Sequence, residues 1–342
     1  MGRRILIVSV HPVLEYDEIR LFESLGCDVF SLGYYLNRGQ ELQLRPGLPS
    51  TEWHAENRKI FSASGCRQER NSRHGWVITD AFCKNFDIVV VHHNYEFINC
   101  NWEAIRSRHV VWRTIGQALH HAEHAMREHR VDVKIVRWSP EEARMRDFIG
   151  ADAYIRACKD PADWGGWNGR ERRVITFNNN FQARGDGMNF AFHQQCVEGY
   201  PFDLYGLRND GIPNWRGTAT YSEQQDILRR SRAAFVTGTW PAPYTLGFIE
   251  AWMTGIPVVH VGRRRFEKDT PGTYEIDNLI VDGESGFLVD EVEQARSAFA
   301  RLLEDEAECQ RISTNGRAAA CKYFGIERAK VEWMKFFNDN GM

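Results

Sequence analysis

No stretch of this sequence approaches the roughly 18 consecutive apolar residues that a membrane-spanning helix requires, so no transmembrane segment is expected. An excess of charge is missing too. The 43 lysines and arginines stand against 46 aspartates and glutamates, a formal net charge of −3, which supplies no overall positive field to gather a phosphate backbone. General nucleic-acid binding is therefore not expected. The eight cysteines (Cys27, Cys66, Cys83, Cys100, Cys158, Cys196, Cys309 and Cys321) include no C-x-x-C pair, and a chain of 342 residues buries enough surface to need no covalent staples. They read as reduced thiols, and the chain as cytoplasmic or peripheral to a membrane. There is no solenoid-period repeat and no low-complexity tract. The first apolar run, Ile5 to Val10, is too short for the core of a leader and lacks a cleavage-type site, so it reads as a buried strand. It is followed by His11-Pro-Val-Leu rather than G-x-G-x-x-G, which argues against a dinucleotide-dependent dehydrogenase.

What is present is an alternation of short apolar runs with amphipathic stretches, the pattern of a parallel sheet covered by helices. In the first half the expected strands are Ile5 to Val10, Cys27 to Leu32, Trp76 to Ile78, Asp87 to Val91, His109 to Trp112 and Val133 to Val136, with a helix from Tyr16 to Leu25 ending at Gly26. Residues 38 to 71, rich in Gly, Pro, Ser and charge, fit that plan poorly and read as a surface excursion. Between Lys159 and Arg173 turn formers and charge dominate, which marks a domain boundary. A second alternation follows: strand Val174 to Phe177, helix Met188 to Glu198, strand Phe202 to Tyr205, helix Ser222 to Ser231, strand Ala234 to Thr237, helix Leu246 to Thr254, strand Val258 to Val261. Helical periods run through Glu291 to Leu303, Asp305 to Phe324 and Glu327 to Phe337. The fold class is α/β, with Rossmann-like domains over 1–165 and 170–322 and a C-terminal helix over about 325–342.

The window from Gly238 to His260 carries the most chemistry. A strand ends, a proline-rich loop crosses, Thr245 can cap the next helix and Gly255 can close it. The loop thus delivers free backbone N–H groups at a helix N-terminus, which favours negative charge and suits a phosphate-bearing ligand. Glu250 lies inside an otherwise apolar helix, where an unpaired carboxylate is costly. Two partners are open to it: a ribose diol, whose two hydroxyl donors match its two oxygens, or an Arg or Lys from a neighbouring element.

At this window the sequence resembles the GT-B glycosyltransferases, in particular the retaining nucleotide-sugar enzymes of family 4. Their signature runs from an acidic residue through Pro, an aromatic, Gly and Leu to Glu-Ala-Met-x-x-Gly-x-Pro-Val-Val. Pro243, Tyr244, Leu246, Glu250, Ala251, Gly255, Pro257, Val258 and Val259 match it. The likeness continues through Phe202 to Gly206, Tyr221 to Arg229 and Leu279 to Val289, in the family's order, and covers about 172 to 292. It implies two Rossmann-like domains facing each other across a cleft. It also implies that Glu250 binds the nucleotide ribose, that Tyr244, Thr245 and Leu246 hold the diphosphate, and that Tyr221 joins them as a donor-binding residue. Arg184, before Gly185, stands where the family has a basic residue for the phosphates; a solvated surface arginine is the other reading. The sequence departs from the signature at two positions. Ala242 replaces the first acidic residue, which in the family contacts the donor sugar, and Thr245 replaces a glycine.

Family members often place a histidine at a strand end of the first domain, near the sugar. His92 and His93 stand at such an end and only one of two neighbours can face the same way; His93 is favoured and is grouped with Arg184 as catalytic. His11, His92, Arg113 and Thr114 are acceptor-side candidates, with Gln117 beside them; a turn histidine is the alternative for His11. His120 and His124 share a helical face at a spacing a metal accepts. No third ligand is evident, so no metal is expected. Trp164 and Trp167 read as packing of the linker, with shaping of the cleft as the other reading. The resemblance implies a hexosyltransferase-type enzyme that moves a sugar from a nucleoside diphosphate-sugar, UDP- or GDP-linked, to an acceptor hydroxyl. The anomeric configuration is retained and no cofactor or metal is used. The acceptor would be a carbohydrate, a lipid-linked group or another hydroxyl compound. Two alternatives remain: a nucleotide-sugar-binding protein without turnover, motivated by Ala242, and a glycosyltransferase acting on modified DNA. The latter calls for a basic stripe, for which Lys59, Arg67, Arg70 and Arg73 are the candidates.

Overall fold

A computed structural model describes all residues but 1, 34–44, 49–50, 70, 117–119 and 267–271. Two compact units make up the chain, Met1–Cys158 with Ala329–Met342 and Lys159–Arg328. The crossings lie at 158/159 and 328/329, rather than at the 165–170 and 322–325 read from composition. Residues 159 to 165 look like a linker but are tied into the second unit. Lys159 N–H donates to the Phe324 carbonyl at 2.8 Å and Ile326 N–H to the Lys159 carbonyl at 3.0 Å. Arg317 donates to the Pro161 carbonyl at 3.2 Å and to the Trp164 carbonyl.

In the first unit the strands are β1 (Arg4–Val8), β2 (Asp28–Ser31), β3 (Arg67–Gln68), β4 (Trp76–Val77), β5 (Ile88–His92), β6 (His109–Arg113), β7 (Val133–Arg137) and β8 (Ala153–Tyr154). Six of them form a parallel sheet in the order β2-β1-β5-β6-β7-β8, while β3 and β4 make a small antiparallel pair. Ile5 to Val8 and Ile88 to Val91 are buried throughout, as strands with both faces covered must be. The helices are α1 (Pro12–Ser24), α2 (Glu52–Ala63), α3 (Asp80–Cys83), α4 (Tyr95–Ile105) and α5 (His120–Met126). Helix α2 lies within the stretch read as a surface excursion. Thr51 caps it by accepting from His54 N–H at 3.1 Å, and it buries His54, Asn57 and Phe61. Two of those buried positions are polar, so the apolar period that reveals a helix is absent; His54 instead packs its ring on Phe30, centroids 4.9 Å apart.

The second unit contains β9 (Glu171–Phe177), β10 (Phe202–Tyr205), β11 (Ser231–Val236), β12 (Val258–Val261) and β13 (Phe287–Val289), parallel in the order β10-β9-β11-β12-β13. Its helices are α6 (Phe181–Arg184), α7 (Phe190–Val197), α8 (Tyr221–Arg230), α9 (Leu246–Thr254), α10 (Ile276–Leu279), α11 (Val292–Glu304) and α12 (Glu306–Phe324), after which α13 (Ile326–Asp339) returns the chain to the first unit. There Trp333 and Phe337 pack on Phe22 of α1, with centroids 4.9 and 5.9 Å away, and Arg3 donates to the Met342 carbonyl at 2.9 Å.

Trp333 is fully buried, so Trp333→Ala should destabilise the first unit by about 3–5 kcal/mol, with Trp333→Phe losing clearly less, as measured by urea denaturation. Two histidines of the second unit set a pH dependence. Burial pushes His193 down to about 3 and His260 down to about 4, a hydrogen bond to the Val261 carbonyl opposing the latter shift only in part. An unfolded histidine titrates near 6.5, so each contributes stability that is complete above that pH and is lost as pH falls toward 4 and 3. Denaturation midpoints should therefore drop between pH 6.5 and 4 with a slope approaching about two protons, and His193→Gln should remove about one of them.

Candidate functional site

The site begins where β9 and β11 end. In an open parallel sheet the ends of helices that follow the strands collect at this carboxyl edge, and ligands bind there. Thr245 caps α9, its hydroxyl accepting from Phe248 N–H at 3.2 Å. The N–H groups of Leu246 and Gly247, the first two helical positions, have no intrahelical acceptor by geometry. Gly247 borders a small cavity of about 30 Å³ whose other walls include Ile175, Asn178, Phe235, Thr245 and Phe248, and a Cβ placed on Gly247 would meet nothing within 4 Å. The helix thus presents its positive end to open space.

Cross-links hold the surrounding loops. Asn178 Nδ2 donates to Thr237 Oγ1 at 3.2 Å, Asn189 Nδ2 to the Thr237 carbonyl at 3.1 Å, and Trp240 N–H to the Gly187 carbonyl at 2.8 Å. On the far side of the loop Glu275 N–H reaches the Pro243 carbonyl at 2.9 Å. Gly238 is required here: its φ is +71°, and a Cβ would come within 2.7 Å of the Tyr274 hydroxyl. Gly206, with φ of +130°, is pressed closer still, since its Cβ would lie 2.0 Å from the Asn178 carbonyl oxygen.

The donor-side residues singled out in the sequence fall on this unit. Arg184 closes α6, exposed, and its guanidinium has no hydrogen bond or ion pair among the described residues. Leu246 is half-buried at the helix start. The Tyr244 ring is fully buried, edge-on to Phe324 at 5.0 Å. Tyr221 opens α8 and meets Trp164 edge-on at 5.6 Å. Ala242 is buried, its N–H bonded to the Thr239 carbonyl at 2.8 Å, and offers the loop only a methyl group.

Glu250, one turn into α9, is 3% exposed. Of the two kinds of partner open to it, the structure supplies the cation: Lys159 Nζ donates to Oε1 at 2.6 Å, and Gln224 Nε2 donates to Oε2 at 2.7 Å. Lys159 and Gln224 were not singled out in the sequence. The first is 91 residues away in chain, inside a segment that reads as linker, and the only signal was the general one that a buried carboxylate needs a partner.

The first unit treats its candidates differently. His92, Arg113 and Thr114 are buried, 0%, 0% and 5% exposed, and are claimed by carboxylates of their own unit. Arg113 Nε donates to Glu18 Oε1 at 2.9 Å, and His92 Nε2 lies 2.7 Å from Glu18 Oε2. Thr114 donates to Glu142 Oε1 at 3.0 Å. Their assignment to the acceptor is corrected accordingly: strand-end position is legible in sequence, but Glu18 and Glu142 arrive from elements far along the chain. His93 is half-buried with φ of +59°, a left-handed conformation that turns it out of the strand alternation. Burial, aided by His121, lowers its pKa, so the ring is neutral near pH 7. His11 occupies the N-cap position of α1. Gln117 and Arg70 lie outside the described residues. Arg67 pairs with Glu69, and Arg73 with Glu96 at 3.4 Å, which neutralises much of the basic stripe. Helix α5 carries His120, His121 and His124, and among the described residues no group of three His, Cys, Asp or Glu side chains is placed to hold a metal ion.

No family model matches the chain, and no curated protein matches it by sequence. Solved structures do. Sucrose-phosphate synthase of Thermosynechococcus elongatus is 12% identical, with 98% of both chains covered at a TM-score of 0.64. HepE of Anabaena, solved with UDP-glucose, is also 12% identical; the match covers 98% of this chain and 99% of HepE at a TM-score of 0.64. A glycosyltransferase of Rickettsia africae is 10% identical over 99% of this chain and 98% of its own, TM-score 0.63. Carried over nearly the whole length and by two parallel sheets each flanked by helices, this likeness shows that the chain has the GT-B glycosyltransferase fold.

Proposed function

We propose that this chain is a hexosyltransferase-type glycosyltransferase that moves a sugar from a nucleoside diphosphate-sugar to an acceptor hydroxyl. The observation that carries the reading is the capped, open N-terminus of α9 at the carboxyl edge of the second sheet. Breaking a sugar–diphosphate bond places negative charge on the departing phosphates while positive character grows at the sugar carbon. Two amides and a helix dipole aimed at one position stabilise that charge without reorganising. Arg184, uncommitted and exposed, supplies a planar fork for the same oxygens. HepE, of the same fold, was solved with UDP-glucose, which supports a uridine donor; GDP-sugars belong to the same test.

In this reading the anomeric configuration is retained. The leaving phosphate oxygen takes the proton of the attacking hydroxyl on the face it departs from, so no protein nucleophile is needed. With Arg184 and the amides of Leu246 and Gly247 balancing the diphosphate, no metal is needed either. Glu250, positioned by Lys159 and Gln224, is the ribose-binding residue of this reading, and Tyr221 and Thr245 line the nucleotide's surroundings. Neutral His93 both donates and accepts a hydrogen bond, as a sugar hydroxyl requires. The acceptor is a carbohydrate, lipid-linked or other hydroxyl compound. Among the described residues no helix is long and apolar enough to cross a membrane. In this reading the protein works in the cytoplasm or at a membrane surface. Ala242 gives the alternative of donor binding without turnover its one specific support.

Calorimetry with UDP and GDP, and turnover of UDP-glucose with and without EDTA, test this. UDP binding and EDTA-insensitive transfer or donor hydrolysis are expected. Tight binding with neither would favour the binding protein, and no binding of either nucleotide would overturn the proposal. Gly247→Asp should fold normally, because a carboxylate in the first turn suits the helix dipole, yet lose at least about tenfold in UDP affinity by repelling the phosphates. Arg184→Ala should lower kcat/KM by roughly 10²-fold, the scale of one lost charge-stabilising donor.

A further inference from the structure

In the second unit β10 is an edge strand of the sheet. At its amino end, the opposite side of the sheet from the start of α9, a groove lies between the end of α7 and the loop at 213–214. Its volume of about 370 Å³ falls in the range of roughly 300 to 1,000 Å³ usual for small-molecule sites. The walls include Gln194, Gln195, Glu198, Tyr200, Pro213 and Asn214, and among the described residues they hold no lysine, arginine or histidine. Arg296, whose guanidinium lies 5.0 Å from the Tyr200 ring centre, is committed to carbonyls at the end of α7, with Nη1 2.6 Å from the Glu198 oxygen and 3.4 Å from that of Cys196. The Tyr200 hydroxyl donates to the Arg296 carbonyl at 2.9 Å, so that residue has its ring, not its hydroxyl, to offer the groove.

Three side-chain amides meet at this groove, and the fold fixes one and leaves two unclaimed. The Thr176 hydroxyl donates to the Phe235 carbonyl at 2.8 Å, so toward His193 Nε2, 3.1 Å away, its oxygen can only accept and the imidazole proton sits on Nε2. Burial pushes His193 down to about 3, which keeps the ring neutral and leaves a lone pair on Nδ1. Gln194 Nε2 donates to that lone pair at 3.1 Å, so the amide is held by its nitrogen while its carbonyl oxygen has no partner among the described residues. Gln195 and Asn214 are exposed, and neither side chain has a hydrogen bond among the described residues. The backbone beside them is already spent: Leu204 N–H donates to the Asn214 carbonyl at 3.0 Å and Arg216 N–H to the Leu204 carbonyl at 2.8 Å. An extended peptide therefore cannot add to β10 there as a further strand.

We propose that this groove binds a neutral saccharide, whose hydroxyls pair with the amides of Gln194, Gln195 and Asn214 and whose ring lies against Tyr200. A sugar hydroxyl both donates and accepts, and so does a side-chain amide. A phosphate or carboxylate would meet Glu198 with no cation to offset it. The site is separate from the amides that start α9, and it does not depend on the glycosyltransferase reading.

The test uses the full chain and the 15N–1H signals of its side-chain amides, with those of Gln195 and Asn214 identified by their loss in Gln195→Ala and Asn214→Gly. Asn214 has φ of +62°, which glycine adopts without strain. The probes are maltotriose, mannotriose and N-acetylated chitotriose, with glucose 6-phosphate as the anionic control and oligoproline as the peptide control. At least one trisaccharide should shift both signals at millimolar concentration. Each substitution should weaken that binding about fivefold, the scale of one net hydrogen bond, and leave the urea denaturation midpoint in place. Saturating UDP should move neither signal. The proposal is overturned if no trisaccharide shifts them, if glucose 6-phosphate or oligoproline shifts them more than every trisaccharide does, or if both variants bind the saccharide as tightly as the unaltered chain. Failure of UDP to bind would count against the glycosyltransferase reading alone, since the amide signals report on the groove by themselves.

Discussion

The buried contact between Lys159 and Glu250 organises the second unit. A carboxylate on a helix as apolar as α9 cannot stay ionised without a cation and a further donor, and Lys159 and Gln224 are both within 2.7 Å. Meeting that demand fixes more than one side chain. It pins the first residue of the unit against α9, while the backbone of the same lysine bonds to Phe324 and Ile326, where the unit's last long helix ends. Entry and exit of the chain are thus joined at one residue, and the helix whose open end faces the pocket is anchored from behind.

The first unit solves a related problem in another way. Its sheet edge gathers several strongly polar side chains, and burial forces nearly all of them into pairs: Glu18 with Arg113 and His92, Glu142 with Thr114, and Glu123 with Arg137 at 2.6 and 2.9 Å. Glu18 comes from α1, remote in sequence from the ends of β5 and β6 that it meets, and Glu142 lies 28 residues from Thr114, whereas Glu123 sits on α5, just before the strand that carries Arg137. The polar residues that look most available on a strand read in isolation are the ones the fold consumes.

Legibility followed the range of the forces involved. Alternating apolar runs, Thr245 as a cap, Gly255 as a helix stop and the strand ends at Phe177 and Val236 depend on neighbours a few positions away, and they stand in the structure close to where the pattern puts them. Helix α2 escaped because its buried face is half polar, and the segment from Lys159 to Arg173 read as a linker because turn-forming composition does not reveal whether a carbonyl is already bonded by Arg317.

Local chemistry along the chain was enough to specify two α/β units, the loop entering α9 and the presence of a carboxylate in that helix needing company. Which cation would answer it, whether His92 or His93 would face outward, and that Arg113 and Thr114 would be absorbed by Glu18 and Glu142 were settled only by packing. Burial selects partners by distance in space, and residues some 90 positions apart, such as Lys159 and Glu250, carry no mark in the sequence that they will meet.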